Sequence, residues 1–458
     1  MLGIFALGIA IAGCSKKQSH VLSSLKDEAT AAQLKHFVAE KKSQADGSTN
    51  EPAPAFAPFF AAAEKGNWLA ISNAFEDLRK HAAQYQGSAE NTDVRLHGPR
   101  WEAVKEIWGA FYAFGEGDEK YSAAFGNGII QSIPPGSIYF GGTDPGRFVV
   151  TAMQKSQVEG DPFFTLTQNA LADGTYLDYL RSIYGNKLYI PTREDSQRCF
   201  QDYTDDAQKR LAKHQLKPGE DVRLDAAGHV QVSGQIAVMD INARMVRVIF
   251  DQNTNHEFYI EESFPLDWMY PYLEPHGLIM KINREPAAQL SEDVLQADHD
   301  YWAKYTTPMI GGWLNNDTTV QEVAAFVENT YVKHDLSGFK GDRHFLDSAN
   351  AQKMYSKLRG SQAGVYSWRL GASPSGGQAL TEYTPGNDVD KQALVQEADF
   401  AFKQAFALCP YSPEAVYRYV SFLVNQKRKP EALLIVQTAA HVDPENHQYQ
   451  GLAANLSH

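Results

Sequence analysis

The residues whose types and spacing suit chemistry fall in two short runs. The first is Phe140-Gly-Gly-Thr-Asp-Pro-Gly-Arg-Phe148. A short apolar strand candidate, Ser137–Phe140, ends there, a Gly-rich turn follows, and a helix can begin. Backbone N–H groups in such a turn and at a helix N-terminus favour an anion, helped by the helix dipole. Arg147 can add a guanidinium fork for a phosphate or carboxylate. Asp144 can instead meet a metal or a sugar hydroxyl, or cap the helix ahead of Pro145. Gly141, Gly142, Thr143, Asp144, Gly146 and Arg147 are therefore ligand-binding candidates. The pattern is neither a Walker loop nor Gly-x-Gly-x-x-Gly. A tight capped turn is the plainer alternative.

The second run extends from Thr167-Gln-Asn169 to Asp173-Gly-Thr-Tyr176. It ends another strand candidate, Phe163–Thr167, and opens another helix. It adds Asn169 and Asp173 to the candidates. Ligands of open α/β sheets bind at the carboxyl ends of strands, where both runs fall. Other groups are weaker. Asp298-His299-Asp300 has metal-capable side chains, but neighbouring helical residues diverge and no partner spacing completes a site. His256, Glu257, Glu261 and Glu262 read as the solvated face of a strand. No Gly-x-Ser-x-Gly elbow or His-Glu-x-x-His helix occurs. No catalytic residue, metal or cofactor is expected.

The elements that must hold these runs read as follows. The order strand, Arg147–Gln154 helix, strand, Ala172–Tyr184 helix suggests a parallel sheet. Gln235–Phe250 reads as a third helix, and His256–Ile260 and Leu278–Ile282 as strands. The expected fold is α/β plus all-α: a Rossmann-like parallel sheet module flanked by helices, with a C-terminal helical repeat. Residues 57–125 are helical in pattern, including a hairpin broken at Lys65-Gly66-Asn67 and an aromatic stripe at Trp101, Trp108 and Phe111. The α/β module is placed at 126–285 and a second helical region at 286–389. Residues 196–230 read as a polar stretch.

The chain has 458 residues, 43% of them apolar, and a net charge of −13, so it can bury large cores but repels nucleic acid. Leu2–Gly13 is apolar yet shorter than the roughly 20 residues of a membrane span. It fits a signal-peptide core. Ile11-Ala-Gly-Cys14 then resembles a lipobox, although no Lys or Arg precedes the apolar run. The resemblance implies residues 1–14 as leader and lipidation site, with Cys14 acylated. The polar stretch at 15–56 reads as a tether, within which Val21–Lys42 could be a helix. Ser15 rather than Asp after the Cys implies the periplasmic face of the outer membrane. Cys199 and Cys409 read as separate buried thiols.

A repeat closes the chain. Ala398, Phe402, Ala405 and Pro410 recur as Ala432, Val436, Ala439 and Pro444, each 34 residues on. That is the tetratricopeptide period. Residues 390–409 resemble the second helix of one unit, 413–443 a complete unit, and 445–456 a capping helix, all within a repeat region at 390–458.

Three segments carry a wider resemblance: Ser137–Phe148, Thr167–Leu177, and Phe264-Pro-Leu-Asp-Trp-Met-Tyr-Pro-Tyr-Leu-Glu-Pro-His-Gly277. Together they resemble the extramembrane half of an uncharacterised bacterial family of polytopic membrane proteins. That family is distantly similar to multispan glycosyltransferases, including protein O-mannosyltransferases, and often ends in tetratricopeptide repeats. In such glycosyltransferases the acidic catalytic residues sit in the membrane part, for which this sequence has no matching positions. Together with the lipobox and the repeats, the resemblance suggests a non-catalytic envelope lipoprotein that binds a protein partner or glycan. The alternative is an enzyme acting on sugars or phosphorylated substrates at the Gly141–Arg147 edge.

Overall fold

The computed structural model describes residues 25, 27–47, 54–82, 93, 95–96, 98–225, 228, 230–372 and 381–457. Residues 1–14, on which the expected leader and Cys14 fall, lie outside them. Helices hold 66% of the protein and the strands form a small mixed sheet, so helix is the dominant layer. The chain divides into two compact units, Met1–Phe258 and Tyr259–His458.

The first unit opens with α1 (Glu28–Asp46), α2 (Phe56–Glu64), α3 (Trp68–His81), α4 (Pro99–Gly115) and α5 (Glu119–Ser132). Local chemistry sets their ends. Asp27 accepts from the Ala29 and Thr30 N–H groups at the start of α1. Asn67 caps α3 through Ala70 N, after a turn at Gly66 with φ 63° that a side chain would disfavour. The aromatic stripe of α4 is core: Trp101, Ile107 and Phe111 are buried. Phe75 of α3 stacks between Trp101 and Trp108, at 5.8 and 4.6 Å between ring centres.

A buried charge network fastens α1 to this unit. Lys41 is fully buried and meets Glu106 of α4 at 2.6 Å. Lys41 also donates to the Tyr179 hydroxyl at 2.8 Å and to Gln157. Tyr179 donates to the other side of the pair, Glu106 Oε2, at 2.6 Å. Gln157 Nε2 supplies Glu106 Oε1 at 3.1 Å. Every charge here has a partner, as burial demands.

Next come β1 (Ile138–Gly141), α6 (Asp144–Met153), β2 (Phe164–Thr167) and α7 (Gly174–Tyr184). β1 and β2 pair in parallel, from Ile138 opposite Phe164 to Gly141 opposite Thr167. All four residues of β1 are buried, which suits an apolar strand covered on both faces. The unit ends with α8 (Arg193–Ala212), a separate antiparallel hairpin of β3 (Asp221–Leu224) and β4 (Val230–Ser233), and α9 (Gly234–Gln252). The boundary falls inside β5 (Phe258–Glu261).

The second unit continues β5 and adds β6 (Leu273–His276) and β7 (Ile279–Ile282), in the order β5-β7-β6. β6 and β7 form an antiparallel hairpin, Leu273 opposite Ile282, turning at Gly277. A Rossmann-like parallel module is not confirmed by this small mixed sheet. The step from β1 through α6 to β2 is parallel. The stretch from 196 to 230 makes a helix and a hairpin instead of a returning parallel strand, and β6–β7 reverses direction. The solvated face expected for Glu261 and Glu262 is also corrected, because both are buried.

Eight helices follow: α10 (Glu292–Ile310), α11 (Val320–Val327), α12 (Arg343–Asp347), α13 (Ala349–Arg369), α14 (Asp388–Leu408), α15 (Pro413–Asn425), α16 (Lys429–Val442) and α17 (His447–Ser457). α11 starts at a reciprocal Thr319–Glu322 capping box and widens into a π turn at Glu328–Val332. That turn carries Tyr331, whose hydroxyl reaches the last carbonyls of α14, Ala407 at 3.1 Å and Leu408 at 3.2 Å.

The repeat positions behave as small residues between close helices must. Ala398, Ala405, Ala432 and Ala439 are all 0% exposed, so any larger side chain would push helices apart. The inner face of α13 is occupied by this unit's own strands and their connections. Ser361 donates to Glu262 O at 2.7 Å, and Gln362 to Gly277 O and Ile279 O at 2.8 and 3.0 Å. Arg369 donates to Ala287 O at 2.9 Å and Leu273 O at 3.3 Å. From α15, Arg418 donates to Gly360 O at 2.9 Å and to Ser263 O.

His299 stands on α10. It pairs with Glu397 at 2.9 Å and stacks on Phe400. The hydrogen bond to Glu397 raises its pKa above the ordinary value, against the opposing effect of burial. A raised folded pKa adds stability below the unfolded pKa and loses it as pH climbs through the folded value. The His299–Glu397 pair should therefore contribute stability at pH 5.5 that it no longer contributes at pH 8.5, and Glu397→Gln removes that increment. Urea midpoints at the two pH values measure it. Cys199 and Cys409 are each buried as free thiols.

Candidate functional site

The loop after β1 is shaped by a close backbone approach. A Cβ on Gly141 would lie 2.8 Å from the Arg147 Cα, so glycine lets the start of α6 fold back against the strand end. Thr143 caps α6, its hydroxyl accepting from Gly146 N at 3.2 Å. Tyr139 in β1 donates its hydroxyl to Gly146 O at 2.9 Å. Asp144 and Arg147 form an i,i+3 ion pair of 2.7 Å near the surface. The Arg147 guanidinium also lies over the Phe148 ring at 4.2 Å, and its Nε has no hydrogen-bond partner in the protein.

The second loop joins the first. Asn169 Nδ2 donates to Gly142 O at 3.2 Å. Asn242 of α9 donates to Asn169 O at 3.2 Å and accepts from Ala172 N at 2.7 Å. Asp173 caps α7, its Oδ1 accepting from both the Thr175 N–H and hydroxyl at 2.8 Å. Tyr176 accepts from Thr167 N at 2.6 Å, and burial pushes its hydroxyl pKa far up. The structure thus brings Gly142 and Asn169 into contact. It gives Thr143, Asp144, Arg147 and Asp173 partners within their own loops.

Sequence reasoning missed the flank of this edge, which α4 supplies. Gly109 admits Phe148 so closely that a Cβ there would lie 2.2 Å from the ring. On the same helix Glu102 is buried and pairs with Lys105 at 2.7 Å. Burial pushes the Glu102 carboxyl up, Lys105 opposes this, and the nearby Glu106 and Asp173 charges add to it. Further along, burial and then the Glu116 and Asp144 charges push the Tyr112 hydroxyl up. Positions 102, 105, 109 and 112 share one helical face, which was the available signal. Nothing local told that face from an ordinary packed one.

Among the described residues no group of three His, Cys, Asp or Glu side chains is placed to hold a metal, and no helix is long and apolar enough to cross a membrane. No curated protein and no solved structure matches the chain. At the C-terminus, residues 394–456, which run from within α14 through α17, match the tetratricopeptide repeat family.

Proposed function

We propose that the protein is a non-catalytic envelope lipoprotein that binds a protein partner through its C-terminal repeat. The tetratricopeptide match over residues 394–456 carries this reading. Helical repeats of this kind offer an extended surface made by stacked units. Much of the inner face of α13 is taken up by the chain itself, as the Ser361, Gln362 and Arg369 bonds describe. The partner is therefore assigned to the solvent side of α15 and α17. There Val424 is 42% exposed and Tyr417 bonds Gln448 at 3.2 Å. Cys14 would hold the protein at the periplasmic face of the outer membrane by its acyl chains.

Two variants test the reading in cells. Val424→Glu should abolish capture of the crosslinked partner from envelopes without lowering the melting temperature. Cys14→Ser should move the protein from the membrane to the soluble fraction and remove its lipid label. Recovery of the same partners by Val424→Glu, or of none by the native chain, would refute the binding role.

A glycan is the second ligand class, and the Gly141–Arg147 edge is where it would act. Asp144→Ala and Arg147→Ala remove a surface pair worth at most about 1 kcal/mol. Their melting temperatures should stay near that of the native chain. Loss of glycan binding in both would assign this edge to the sugar. A fall in stability alone would mark it as a structural turn.

A further inference from the structure

The second unit buries an ion pair beside which three polar atoms have no partner among the described residues: Asp298 Oδ1, Arg359 Nη2 and Trp302 Nε1. None of these side chains is more than 3% exposed. The three side chains adjoin one another. Arg359 Nη1 donates to Asp298 Oδ2 at 2.6 Å, and the guanidinium carbon lies 5.2 Å from the Trp302 ring centre. Asp298 and Trp302 stand one turn apart on α10 and face α13, which carries Arg359.

The neighbours fix these groups where they are. Arg359 Nε donates to Gln404 Oε1 at 2.7 Å, and Nη1 also reaches Gln362 Oε1 at 3.2 Å. Tyr366 donates its hydroxyl to Asp298 Oδ2 at 2.5 Å. Burial, and then the Asp298 charge, push the Tyr366 pKa well above its ordinary value, so the hydroxyl stays a donor. Gln362 is itself held by the Gly277 and Ile279 carbonyls. The guanidinium cannot turn to meet both carboxylate oxygens without giving up Gln404 or Gln362.

We propose that Asp298 Oδ1, Arg359 Nη2 and Trp302 Nε1 together bind one internal water molecule. The inventory of the site selects it. Two donors and one acceptor are on offer, and water accepts two hydrogen bonds while donating one. An ammonium ion has no acceptor for Arg359 or Trp302. A halide can take both donors but is repelled by Asp298. A metal cation meets the Arg359 charge. Buried polar groups in folded proteins find partners, and ordered water is the usual one when side chains cannot close the gap. The water bridges α10 to α13 on the scaffold beneath the repeat helices.

A crystal structure of the full chain at about 1.5 Å resolution, with bromide in the mother liquor, tests the assignment. The expected result is one light spherical peak about 2.7–3.2 Å from all three atoms, with no anomalous signal. A rotated guanidinium paired with both Asp298 oxygens and no peak would overturn it. So would an anomalous bromide peak. In solution, oxygen-17 relaxation dispersion should count one long-lived water fewer, or a markedly shorter residence, in Trp302→Phe. An unchanged dispersion in a folded Trp302→Phe would overturn the role of the indole.

Discussion

Asp298→Ala is expected to destabilise the protein by about 3–5 kcal/mol, the penalty for leaving a buried charge without its counter-ion. The variant strands Arg359, which is 0% exposed and lies against the Trp302 and Phe400 rings. It also removes the acceptor of the Tyr366 hydroxyl. The chain cannot relax by exposing Arg359, because Gln404 and Gln362 hold it in place from two helices. Urea denaturation followed by tryptophan fluorescence gives the number. The double variant Asp298→Leu/Arg359→Met should recover a large part of the loss, since an apolar pair of similar volume carries no desolvation cost. A loss below about 1 kcal/mol in the single variant would mean that bulk solvent, and not a single bound molecule, reaches the pair.

The second large effect is expected at the other end of the chain. Lys41→Met should cost about 3–5 kcal/mol, because Glu106 keeps its burial and loses its counter-ion. Tyr179 and Gln157 still donate to Glu106 in that variant, which sets a floor under its partnering. Glu106→Gln in the Lys41→Met background should therefore restore stability by removing the stranded charge. Circular dichroism against urea checks both. The consequence for α1 is specific. Its attachment rests on Lys41 as much as on Leu34 and Phe37, so the single variant should also raise protease sensitivity between residues 28 and 46.

These two clusters show what the sequence could not disclose. Lys41, Asp298 and Arg359 look like ordinary charges on helices, and such charges usually face water. Their partners stand far off in the chain: Lys41 and Glu106 are separated by α2 and α3, and Asp298 and Arg359 by α11 and α12. His299 was visible as metal-capable, yet its partner Glu397 lies in the repeat region. Pairings of that kind depend on tertiary packing that no spacing rule reports.

The elements were legible wherever periodicity was strong. The helix expected at 235–250 is Gly234–Gln252, and the repeat helices expected at 390–409 and 445–456 are Asp388–Leu408 and His447–Ser457. Polar composition hid α8, although Thr192 and Asp195 make a complete capping box at its start. Strand direction was the real failure. A strand, helix, strand, helix order invited a parallel sheet, and β1 and β2 obey it. Nothing in Leu278–Ile282 announced that it would run back along β6. At the candidate edge, the turn and the two helix starts were readable from Gly141, Thr143 and Asp173. Their mutual hydrogen bonding through Asn169 and Asn242 was not.

The π turn at Glu328–Val332 has a consequence for how α14 comes apart. The last carbonyls of a helix have no partner within it, and a last turn held by nothing else opens and closes freely. Here Tyr331 holds the Ala407 and Leu408 carbonyls from another helix. Fraying at that end requires the widened turn to let go first. Opening there becomes a concerted event of two helices, one cooperative unit of local unfolding, where a free end would have unravelled residue by residue.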